Sequence, residues 1–168
     1  IKKLNLSFDN IQKKAPVYLK DVISHLEPIQ HNNSSKRDIL HRAKELNEIN
    51  FKRIKATPLN GGLRSAWSEE LRLPCHKVKE SFHDNYGRLA WDKLSSTITT
   101  KFNQYYSGRF GHPEQDRALS LREGALIQTF PKDYQFFGTD YQIARQIGNA
   151  VPVNLSKAVG ETFISAIV

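Results

Sequence analysis

The last third of the chain is punctuated so tightly that little besides a run of short helices fits it. Ser120-Leu121-Arg122-Glu123 has the S-x-x-E form of a capping box, in which the hydroxyl accepts from a first-turn N–H and the carboxylate reaches back. Thr139-Asp140-Tyr141-Gln142 repeats the device as T-x-x-Q. The first helix should run to about Thr129 and stop at Phe130-Pro131, because a residue before proline avoids helical geometry. Gly148-Asn149 breaks the second, and Pro152 suits the first turn of a third. Along that third helix Leu155, Ala158, Val159, Thr162, Phe163 and Ala166 form an apolar stripe that needs a core to dock on.

The upstream pattern is mixed. Leu19, Val22, Ile23 and Leu26 have helical spacing, halted by Pro28. Ser35 and Asp38 can cap a following helix with Ile39, Ala43 and Leu46 on one face. A further short helix holds Ile49 and Ile54 and ends before Thr57-Pro58. Glu69-Glu70 beside Trp67 suits a helix start better than an acid–base pair. Residues 86–91 and 96–102 are rich in aromatic and β-branched side chains and flank a turn at Asp92-Lys93-Leu94-Ser95, which predicts two strands.

The 168 residues hold nine Phe, six Tyr and two Trp, enough apolar matter for a folded domain. No apolar run approaches the ~20 residues that span a bilayer, so no membrane partner is expected. One cysteine excludes an internal disulfide and fits a reducing, cytoplasmic setting. Net charge is +8, and residues 1–60 hold 12 Lys or Arg against 6 Asp or Glu, whereas 61–168 hold 13 against 11. That surplus suits a polyanion such as DNA, and it suits a solubilising surface equally.

Two stretches carry a more specific signal. Arg117 to Pro131 (RALSLREGALIQTFP) and Gln146 to Pro152 (QIGNAVP) resemble the ninth and tenth motifs of bacterial DNA cytosine-5 methyltransferases, in order and at a suitable separation. The usual ninth motif is R-x-L-T-x-R-E-x-A-R-x-Q-x-F-P; here Ser120 stands for the threonine, a harmless change for a cap, and Leu126 replaces an arginine. Gly124 should weaken its helix by about 1 kcal/mol relative to alanine. Leu40-His41-Arg42-Ala43, Arg53 to Pro58, Gly61-Gly62-Leu63-Arg64, Leu73 to Lys77 and Tyr86-Gly87-Arg88 resemble the recognition region of one branch of this family.

That resemblance implies an α+β fold: a small target-recognition lobe with a β-hairpin or small sheet and short helices, then C-terminal helices that in the family pack on a cofactor-binding α/β domain. Residues 1–35 would be a connecting segment with one short helix, 36–116 the recognition region, and 117–168 the motif helices. It implies double-stranded DNA as partner, S-adenosylmethionine as cofactor, and a catalytic domain or subunit elsewhere to complete the site. Asn149, Ala150 and Val151 would lie against that cofactor. Thr97-Ile98 sits where the family carries a target-site Thr followed by an aliphatic residue.

Base reading needs bidentate donors and cations on phosphates. Arg64 beside two glycines, Arg88, Thr97, Thr99 and Lys101 alternating on one strand, and Arg109 in a long loop are the DNA-contact candidates. A solvated turn and an exposed polar face fit the same residues. Pro74-Cys75 imitates the family's Pro-Cys nucleophile, but His76 follows instead of Gln and the pair sits in the recognition region, so Cys75 is taken as structural. His76, His83 and His112 make no zinc pattern with one cysteine. The chain begins at Ile1 and holds no nucleophile or glycine-rich cofactor motif of the family, so a fragment, inactive alone and able to dimerise through its apolar last helix, is expected. A non-catalytic DNA-binding module and the small subunit of a split methyltransferase remain alternatives.

Overall fold

In the computed structural model, which describes residues 15–77 and 84–167, five α-helices are joined by irregular backbone. They are α1 Leu19–Ile23, α2 Glu48–Ala56, α3 Leu121–Ile127, α4 Asp140–Asn149 and α5 Val153–Ile167. Single 3-10 turns occupy Arg64–Ala66, Glu69–Leu71, Pro74–Lys77 and Tyr105–Ser107. The caps expected at Ser120 and Thr139 are in place. Ser120 Oγ accepts from the Glu123 N–H at 3.1 Å, and the Ser120 N–H donates to Glu123 Oε2 at 2.7 Å. Thr139 and Gln142 repeat the exchange at the start of α4. Asn47 caps α2 by accepting from Asn50 N–H.

The expected β-hairpin is absent: no strand ladder forms among the described residues, which carry only isolated bridges. The reason lies in competing partners. Trp91 O and Lys93 O, which a hairpin would use, accept instead from Lys20 N–H and Leu19 N–H at the start of α1. The Trp91 N–H donates to Asn60 Oδ1. Residues 87–89 pair with Gly111, not with 96–102, through Leu89 N–H to Gly111 O at 2.8 Å and Gly111 N–H to Gly87 O at 2.9 Å. The second stretch then closes a turn, Phe102 N–H to Thr99 O at 3.2 Å. β propensity was real here but had no neighbouring edge to pair with.

The helix expected after Ser35 is also missing. Ser35 Oγ accepts from the Arg37 and Asp38 N–H groups as a local turn, and Ser34 bridges Arg42. Ile39, expected to share a face with Ala43 and Leu46, is 83% exposed whereas both of those are buried. A hydroxyl that bonds its own following backbone competes with the helix it could cap.

The main core joins Leu19 and Ile23 of α1, Leu40, Leu89, Ile98, Phe102, Phe110 and Leu119, Leu121 and Ala125 of α3, and Ile143, Ala144 and Ile147 of α4. All three sequence segments contribute to it. A second cluster joins Leu46, Ile54, Trp67, Tyr86, Tyr105 and Ala118, with Phe51 and Leu71 packed against it. Three buried arginines lace the irregular backbone together. Arg117 pairs with Glu123, Arg122 with Asp38, and Arg88 donates to the carbonyls of Ile54, Thr57, His112 and Gln115 and pairs with Asp116. The Ile54 carbonyl belongs to the C-terminal turn of α2, where a cation is favoured.

Candidate nucleic-acid and cofactor interface

Gly148 in α4 decides how the two halves of the site meet. A Cβ built there would lie 2.4 Å from Thr99 C and Thr100 N and 2.5 Å from Thr99 O, so α4 rests directly on the backbone of Thr99 and Thr100. Exposure alternates along that segment: Thr97, Thr99 and Lys101 are exposed, while Ile98 and Phe102 are buried. The alternation expected of a strand therefore holds without a ladder. Ile98 is an anchor in the core rather than a contact.

The turn after α4 is fixed from its other side. Gln128, in the ninth-motif stretch, donates from Nε2 to Ile147 O at 2.9 Å and Ala150 O at 3.0 Å. Val153 N–H returns a bond to Gln128 O at 3.2 Å, and Asn154 N–H donates to Thr129 Oγ1. Gln128 was visible in the sequence only as a motif letter, and nothing in its spacing announced this clasp. The turn so held presents Asn149 exposed, Ala150 half-buried and Val151 59% exposed. It parts two clefts. One, of about 510 Å³, has Ser96, Thr97, Ile127, Gly148, Ala150 and Pro152 in its lining; the other, of about 520 Å³, has Phe137, Gln142, Arg145, Gln146 and Asn149.

The arginine candidates separate by burial. Arg88 has zero exposure and its guanidinium is fully engaged with carbonyls and Asp116, so the expected duplex-facing role does not fit its position. Arg64 is 7% exposed in the first 3-10 turn. His76 lies within reach of its charge and of those of Arg53 and Arg72. Burial pushes the His76 imidazole below its ordinary range, and the charges of Arg64, Arg53 and Arg72 lower it further. Arg53 itself stacks over Trp67 and Tyr86 at 5.5 and 5.3 Å. Arg109 is part-exposed, pairs with Asp84, and has an Nε without a hydrogen-bond partner among the described residues. Cys75 is exposed and free, and His83 lies outside the described residues.

A profile of C-5 cytosine-specific DNA methylases matches residues 2–165. The chain belongs to that family. It is 46% identical over 153 residues to the type II methylase M.HgiDII of Herpetosiphon aurantiacus, covering 86% of this chain and 42% of that protein. It is 50% identical over 76 residues to DNA (cytosine-5)-methyltransferase 1 of Mus musculus, covering 45% of this chain and 5% of that protein. It is 49% identical over 77 residues to the type II methyltransferase M.PspPI of Psychrobacter sp. (strain TA137), covering 46% of this chain and 18% of that one. The chain thus spans less than half the length of these curated relatives. No helix among the described residues is long and apolar enough to cross a membrane.

Proposed function

We propose that this chain is the DNA-recognition and C-terminal part of a DNA cytosine-5 methyltransferase that methylates carbon 5 of a cytosine extruded from the duplex. A catalytic domain or subunit, supplying the thiolate that adds to the ring, completes the enzyme. The type II relatives support a restriction-modification setting. Carrying this reading is the back-to-back placement of two exposed features, the Thr97–Lys101 segment and the Asn149 turn, on either side of Gly148.

Thr97, Thr99, Lys101 and Arg109 face the duplex in this reading, with Arg64 at the margin of the same region and Ile98 holding the segment down. Asn149, Ala150 and Val151 form one wall of the S-adenosylmethionine site. That cofactor supplies a methyl group on a positively charged sulfur. The residues present fit an edge of it: an exposed amide at Asn149, with the Arg145 guanidinium and Gln146 along the same cleft, can donate to a carboxylate.

The test is binding of the full chain to a labelled mixed-sequence duplex across a salt series, followed by methyl transfer from labelled S-adenosylmethionine. Affinity should fall steeply with salt, and the chain alone should transfer no methyl group until a catalytic part is supplied. Absent or salt-insensitive binding overturns the DNA reading. Methyl transfer by the chain alone overturns its incompleteness.

A further inference from the structure

Resting on that reading, we propose that Phe102 and Gly148 are positioning residues: they carry occupancy of the Thr97–Lys101 segment by DNA into the turn that presents Asn149. The segment's exposed residues alternate with two anchors, Ile98 at 4% and Phe102 at 0% exposure, in the same core cluster as Ile143, Ala144 and Ile147 of α4. Both motif helices are cut away to admit it. At Gly124 of α3 a Cβ would lie 2.1 Å from the Phe102 ring, and at Gly148 of α4 it would strike the Thr99 and Thr100 backbone.

The Gly148 contact is backbone against backbone, with no side chain that could rotate to absorb a displacement. Close-packed interiors transmit such shifts instead of compressing. The Asn149 turn cannot simply swing away, because Gln128 Nε2 holds Ile147 O and Ala150 O on its far side. A duplex that fixes Thr99 and Lys101 therefore also fixes Gly148, and with it the adjoining asparagine. Coupling of this kind is reciprocal, so a group bound at the turn tightens DNA binding by the same factor.

The experiment is hydrogen–deuterium exchange on the full chain with and without a mixed-sequence duplex. Amides of residues 145–151 should exchange about fivefold more slowly with duplex bound, the lower end of common coupling factors. Phe102→Leu, which alters neither exposed face, should keep salt-dependent duplex binding but lose the slowing at 145–151. In the methyltransferase assembled with its catalytic part, the same variant should raise KM for S-adenosylmethionine by a similar factor with kcat little changed.

Wild-type chain that binds duplex without slowing at 145–151 sinks the coupling and leaves the DNA reading standing. Chain that binds no duplex sinks both. Slowing retained in a folded Phe102→Leu variant removes Phe102 from the path. Should that variant fail to fold, the wild-type exchange data decide alone.

Discussion

Arg117 and Glu123 meet through two parallel hydrogen bonds of 2.7 Å in a site where both side chains are essentially without solvent exposure. The guanidinium also donates to the Ile29 and Ala118 carbonyls, and the carboxylate takes the Ser120 N–H. One pair thus ties the chain after α1, at Ile29, to the start of α3. Removing one partner leaves the other charged and buried. Arg117→Met should cost about 3–5 kcal/mol of stability by urea denaturation, the range typical of half-broken buried pairs. A loss under about 1 kcal/mol would show the pair to be incidental.

His112 beside that pair and Glu123 within it give the fold an acid sensitivity. Burial pushes His112 down to about 3, with the Arg117 and Arg88 charges outweighing part of the pull from Glu123. Its Nδ1 accepts from the Glu114 and Gln115 N–H groups, so protonation there breaks two bonds. At neutral pH it is uncharged, and its 3.7 Å approach to Glu123 is no ion pair. Burial would raise Glu123, but the Arg117 charge and hydrogen bonds hold it at about 2.

Both folded values lie below the unfolded ones, so the unfolded chain binds more protons in the intervening window and stability falls with acid. For His112 that window runs from about 6.5 down to 3, and for Glu123 from about 4.5 down to 2. The slope approaches roughly 1.4 kcal/mol per pH unit for each group. His112→Asn keeps an acceptor without the titration, and should flatten the melting-temperature profile between pH 5 and about 6.5. An unchanged profile there would mean that His112 is not the sensor.

Gly124 separates what a single stretch of sequence says from what packing says. Helix propensity alone makes Gly124→Ala stabilising by about 1 kcal/mol. The Phe102 ring, 2.1 Å from where that Cβ would stand, reverses the sign. Overpacking of this kind typically costs about 1–3 kcal/mol. A net loss is therefore expected in thermal melts, partly recovered when Phe102→Leu is added. Melting of the single variant at or above wild type would contradict the contact.

Local signals in the chain proved readable where they involve neighbours in sequence. The Ser120 and Thr139 caps, the stop before Pro58 and the alternating exposure of 97–102 all depend on residues a few positions apart. The failures are long-range. Whether 86–91 pairs with 96–102 was settled by α1 amides more than seventy residues upstream of the carbonyls they meet and by Gly111. Gln128, Gly148 and Phe102 gave no periodic signal, since their roles lie in partners far along the chain: the Ile147 and Ala150 carbonyls, the Thr99–Thr100 backbone and Gly124. Arg88 and Arg109 look alike in sequence, yet one lies in the core and the other at the surface.

That contrast can be measured directly. Lys101→Ala and Arg109→Ala should leave thermal stability near wild type, because Lys101 is exposed and the Arg109–Asp84 pair is a surface one. Each should weaken duplex binding and lower the logarithmic salt slope by about 1. Arg88→Met should behave oppositely. It abandons the Ile54, Thr57, His112 and Gln115 carbonyls inside the fold, at a cost of at least about 2 kcal/mol. Under conditions where the variant stays folded, its salt slope should match wild type, since its charge never reaches the surface. A reduced slope in folded Arg88→Met would mean that the guanidinium leaves its carbonyl cage to meet a phosphate.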